Sequence, residues 1–69
     1  MKRRFEFVGG SSAKFWEVTV VQSAVTVRYG RLGTDGQSQT KPFAAVELAQ
    51  QHADGLIRQK VAKGYVETK

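Results

Sequence analysis

The sequence predicts an α+β domain in which an antiparallel sheet of about four strands carries one long helix across one face. Two stretches with strand alternation, Lys14 to Gln22 and Val25 to Leu32, precede a proline-free stretch, Ala44 to Lys63, whose apolar residues recur at helical spacing. A third observation bounds the size: 69 residues with 41% hydrophobic content supply one modest core, so residues 1–69 read as a single domain. One helix over one sheet then gives two layers around that core.

Phe5 to Val8 alternates imperfectly and runs into Gly9-Gly10-Ser11-Ser12, which reads as an edge strand followed by a loop. From Lys14 to Gln22 the alternation is cleaner. Trp16, Val18 and Val20 share one face, and Phe15, Glu17, Thr19 and Val21 share the other. After the short Gln22-Ser23-Ala24 link, Val25 to Leu32 places Val25, Val27, Tyr29 and Arg31 on one face and Thr26, Arg28 and Gly30 on the other. The two segments make a hairpin. Gly33-Thr34-Asp35-Gly36 supplies the glycines and the Asp that tight turns use, so the chain reverses there. Gln37 to Phe43 is a third, polar strand. Its Pro42 cannot donate to a ladder and belongs at an edge or a strand end.

In the helical stretch, Ala45, Ala49, His52, Ala53, Leu56, Ile57 and Lys60 fall on one side. Gly55 costs about 1 kcal/mol there relative to Ala, and a close approach of the sheet would account for it. Lys60 and Lys63 complement the helix dipole, and Gly64 stands where a left-handed cap ends the helix. Tyr65 to Thr68 forms a last short strand or an ordered tail.

Composition removes several function classes. There is no cysteine and a single histidine, His52, so neither a disulfide framework nor a structural zinc site is available, and no cofactor or metal is expected. The apolar runs are far shorter than the roughly 20 residues that span a bilayer, and the basic start Met1-Lys2-Arg3-Arg4 leads into no apolar core. A cytoplasmic protein without membrane attachment is expected. His52 lies among apolar helix positions and reads as a satisfied core or boundary residue. The carboxylates are scattered, with no pair at a spacing suited to acid and base work, so no enzyme is expected. Glu17 stands apart because it lies inside a strand between Trp16 and Val18, where it could pair with a basic residue across the sheet.

Eleven Lys and Arg against six Asp and Glu leave a formal charge of +5, which favours anionic partners. Arg28-Tyr29-Gly30-Arg31 sets an aromatic ring and two arginines at a strand end before a tight turn. Rings stack on bases and guanidinium forks grip phosphates, so this combination suits nucleic acid. The plainer alternative is a sheet tyrosine between solvated arginines. Lys2-Arg3-Arg4 reads as a disordered basic tail.

Phe15-Trp16-Glu17, Arg28-Tyr29-Gly30-Arg31-Leu32-Gly33-Thr34, Gly36-Gln37, Lys41-Pro42-Phe43, Ala49, Lys60 and Lys63-Gly64-Tyr65 together resemble a WGR domain of the stand-alone bacterial type, over nearly the whole chain. That family also occurs in poly(ADP-ribose) polymerases, where the domain contacts DNA near strand breaks and touches neighbouring domains. The resemblance implies a sheet crossed by one helix. It places the signature roles on Tyr29 and Arg31, with Gly30 allowing close backbone approach, and Tyr29 stands where the signature has tryptophan. Nucleic acid, with DNA favoured, is therefore the expected partner, bound through Arg28, Tyr29, Gly30, Arg31 and Lys41. A protein partner is the alternative, and the chain is expected as a monomer or weak homodimer.

Overall fold

The computed structural model describes residues 1–68. Its elements run β1 (Lys2–Gly9), β2 (Ser12–Val21), β3 (Ala24–Arg31), β4 (Gln37–Pro42), α1 (Val46–Ala62) and β5 (Val66–Thr68). The five strands form one antiparallel sheet in the order β4-β3-β2-β1-β5, with α1 packed across one face. The α+β architecture is the expected one, and the segment after the helix resolves as a fifth strand.

The β2–β3 hairpin sets both faces. Trp16 pairs with Tyr29, Val18 with Val27 and Val20 with Val25, so these side chains all lie beneath the helix. They meet Phe5 of β1 and Ala49, Ala53 and Ile57 of α1 in the core. Small alanines at the crossing let the helix lie close to Trp16 and Val18. Phe5, Val18, Ala49 and Ala53 are at most 1% exposed. At roughly 25 cal/mol per Å² of apolar surface, each large side chain in this set contributes about 1.5–3 kcal/mol by burial.

The N-terminal segment differs from the sequence expectation. Lys2, Arg3 and Arg4 are strand residues, not a tail, because Met1 exchanges backbone hydrogen bonds with Val20 and Lys2 to Gly9 pair along β2. The same strand is interior, not an edge, since β5 covers its other side. A basic segment is held this way because its cations find partners: Arg3 forks onto Glu67, and Arg4 bonds Glu17 and Glu6. Pro42 ends β4, an edge strand, as its missing donor requires.

Gly55 also departs from expectation. A Cβ built there meets nothing within 4 Å, so no close approach of the sheet explains it. The tight approach lies elsewhere, at Gly30, where a Cβ would sit 2.7 Å from the Cα of Gly36. Gly36 itself has φ +71°, and the turn it closes folds back over Phe15 on the far side of the sheet.

Candidate nucleic-acid interface

The alternation of β3 sends Arg28 and Gly30 to one side of the sheet and Tyr29 and Arg31 to the other. On the side away from the helix, Arg28 donates to Glu17 through Nε at 3.2 Å and Nη2 at 3.0 Å, and to the Asp35 carbonyl at 2.9 Å. Arg4 reaches the same carboxylate at 2.6 Å, and both guanidinium groups lie over the Phe15 ring. Glu17 is therefore the buried centre of a basic clasp, with its side chain 7% exposed. Hydrogen bonding to Arg28 is the largest influence on its pKa. Together with Arg4 and Lys2 it outweighs burial and holds the carboxyl below its ordinary range. The cross-strand basic partner expected for Glu17 is present twice over.

On the helix side, Tyr29 is half-buried against the core and Arg31 is exposed at the strand end. Lys41 of β4 lies opposite Val25 on the same side and places its ammonium 5.4 Å from the Phe43 ring centre. These residues line a groove of about 1080 Å³ between the sheet and α1. His52 stands on its helix wall, half-buried, with its ring 4.9 Å from that of Phe43. The structure thus gathers Tyr29, Arg31 and Lys41 at one groove, with Gly30 reaching it from β3. Arg28 it sets on the opposite face, in the Glu17 clasp.

Two further cations line the groove. Lys14 of β2 is the direct cross-strand partner of Arg31, and Lys60 of α1 projects from the helix. The Lys60 ammonium lies 5.6 Å from the Trp16 ring and 5.3 Å from Tyr65. Lys14 approaches Phe7 at 5.2 Å and Tyr65 at 5.8 Å. Burial, followed by repulsion from Lys63 and Lys14, pushes the Lys60 amine below its ordinary pKa. Sequence reasoning did not single out this pair for binding. The available signal was a lysine at a core-facing helix position, together with Lys14 on the Trp16 face of its strand.

The charges are segregated. Among the described residues, the ion pairs join Lys2, Arg3, Arg4 and Arg28 to Glu6, Glu17 and Glu67, and none involves Lys14, Arg31, Lys41 or Lys60. Among the described residues, four that line the groove are Lys or Arg, and none is Asp or Glu.

Residues 1–69 match the model of the WGR domain, and the chain belongs to that family. It is similar to a Bacteroides fragilis protein of known crystal structure, with a TM-score of 0.97 and 49% identity, over 100% of this chain and 20% of that one. The Escherichia coli (strain K12) protein YfeS is 39% identical over 97% of this chain, and YehF of the same organism 38% identical over 94%. The chain spans 28% of the length of YfeS and 24% of that of YehF. Among the described residues, no helix is long and apolar enough to cross a membrane.

Proposed function

We propose that this domain binds nucleic acid, with DNA the favoured form, through the groove between α1 and the β2–β4 part of the sheet. The observation that carries the reading is the meeting of Tyr29, Arg31 and Lys41 at a groove whose lining, among the described residues, holds four cations and no carboxylate. An unpaired cation lining a groove is available to a phosphate without first breaking an internal ion pair, and each phosphate neutralised releases condensed counterions. Tyr29 offers its ring to a base or sugar, Arg31 grips phosphate with its fork, and Lys41 adds a point charge. Gly30 lines the groove between them, and its missing side chain makes room for Gly36 on the opposite face. Arg28 acts behind this surface, fixing β3 through Glu17 and the Asp35 carbonyl. The WGR family reading supports the same partner, since the resemblance to the polymerase domains implies a DNA contact at this signature. The domain acts by recognition, without a catalytic step of its own.

The test is fluorescence anisotropy with labelled blunt, nicked and single-stranded DNA and matching RNA, at two salt concentrations. Binding in the micromolar range or tighter that weakens with salt and is lost in Arg31→Ala is expected. No binding to any probe at low salt would overturn the reading.

A second reading is a protein partner added along β4. That strand lies at the sheet edge and its six residues are all exposed, which leaves a free ladder for an extended peptide. It predicts salt-tolerant binding to a protein and little affinity for DNA.

A further inference from the structure

Lys14 and Arg31 stand directly opposite each other on one face of the β2–β3 ladder, an arrangement in which like charges repel at close range. Lys60 comes down from α1 toward the same place, and Lys14 and Lys60 both approach the Tyr65 ring. Among the described residues no carboxylate pairs with any of the three, whereas the cations of β1 are matched by Glu6, Glu17 and Glu67. The ammonium groups themselves lie over the rings, Lys14 over Phe7 and Tyr65 and Lys60 over Trp16 and Tyr65, so both charges share the Tyr65 ring. A fold that gathers repelling cations over an aromatic floor without an internal counter-ion leaves that role to an external anion.

We infer that Lys14 and Lys60 form a phosphate subsite beside Arg31, taking one backbone phosphate of a nucleic acid whose adjoining base or sugar rests on Tyr65. The inference rests on the nucleic-acid reading above and adds two residues and a second aromatic platform to it. The strand then continues along the groove from Tyr65 past Lys14 and Arg31 toward Tyr29 and Lys41. Burial is the larger cause of the lowered Lys60 pKa, and a bound phosphate offsets the second, repulsion from Lys63 and Lys14, so it shifts Lys60 toward higher basicity.

The experiment compares wild type with Lys14→Gln, Lys60→Gln and Arg31→Ala, with Arg58→Gln as the control for net charge. Arg58 is exposed on the helix and does not line the groove. The probes are a labelled oligothymidylate of about 12 nucleotides, a blunt duplex of equal length, and inorganic polyphosphate as competitor. Lys14→Gln and Lys60→Gln are each expected to weaken oligonucleotide binding about fivefold and to reduce the salt slope by about 0.7–0.9, against little change for Arg58→Gln. The better-bound probe identifies the source of the phosphate, and weak competition by polyphosphate supports the role of Tyr65. If both lysine variants behave as Arg58→Gln does while Arg31→Ala still loses binding, the subsite is overturned and the wider reading stands. If wild type binds neither oligonucleotide, both fall together. Thermal melts by circular dichroism verify that the variants are folded. A titration of the Lys60 side chain by NMR should move to higher pH on saturation with oligonucleotide, and an unmoved titration overturns the contact.

Discussion

Arg28 grips Glu17 by a fork, Nε to Oε1 at 3.2 Å and Nη2 to Oε2 at 3.0 Å, on the face of the sheet opposite Tyr29 and Arg31. Two arginines of one short motif, three positions apart, therefore lie in different surroundings. Arg28 closes a half-buried charge network around the buried Glu17, while Arg31 lines the groove.

Removing the centre of that network should be costly. Glu17→Gln leaves Arg4 and Arg28 without their shared carboxylate, and because both arginines keep some contact with water the loss is expected at about 2–3 kcal/mol. Urea unfolding measures it. Binding to DNA, read well below the melting temperature, should stay within about twofold of wild type if Arg28 and Glu17 serve the scaffold.

The same carboxylate sets a pH dependence. Its folded pKa is lowered, so its stabilisation is fully present above the unfolded value of about 4.3 and is lost as pH falls through the lower folded value. Melting temperatures recorded from neutral to strongly acidic pH should show the wild-type advantage over Glu17→Gln shrinking below about pH 4. A constant gap down to strongly acidic pH would contradict the assignment.

Gly55→Ala should stabilise the protein by about 0.5–1 kcal/mol, since the new methyl meets nothing and the unfolded chain loses freedom. For a domain of this size that is an increase in melting temperature of a few degrees, about 2–8 °C, by differential scanning calorimetry. A fall in melting temperature would mean that the helix backbone at Gly55 is not the regular one described.

Gly36→Ala should do the opposite. Its Cβ would fall 2.8 Å from the edge of the Phe15 ring and against the Tyr29 carbonyl, at a φ of +71° that already disfavours a side chain. A loss of about 2–4 kcal/mol is expected, combining the left-handed penalty with overpacking. Gly30→Ala, with its Cβ 2.7 Å from the Gly36 Cα, should lose stability by the same collision seen from the other side. Urea midpoints unchanged from wild type would refute both.

Tyr29→Leu should keep most of the packing against the core while removing the stacking face. A loss of about 1–3 kcal/mol in affinity for single-stranded DNA, with a salt slope close to that of wild type, is the expected signature of a stacking rather than a charge contact. Anisotropy at several salt concentrations separates the two.

The strand alternation around Trp16 and Tyr29, the Gly33–Gly36 turn and the helical rhythm through Ala49, Ala53 and Ile57 were legible in the sequence, because local periodicity alone sets which side chains share a face. The same periodicity already put Arg28 and Arg31 on opposite faces, but only the tertiary structure gave those faces different meanings. Glu17 claims Arg28 on one side, and the helix walls a groove beside Arg31 on the other. The run Lys2-Arg3-Arg4 looked like a tail because its partners Glu17 and Glu67 are distant in sequence and approach only through the β1–β2 and β1–β5 pairings. Gly30 has a similar history, since the residue it must admit, Gly36, returns to it only after the turn. Lys14 and Lys60 lie on different elements, and their convergence on Tyr65 is decided by how α1 crosses the sheet. Sequence patterning determined β2, β3 and α1 and their faces. Packing between elements decided which charges are neutralised within the fold and which, among the described residues, have no carboxylate beside them.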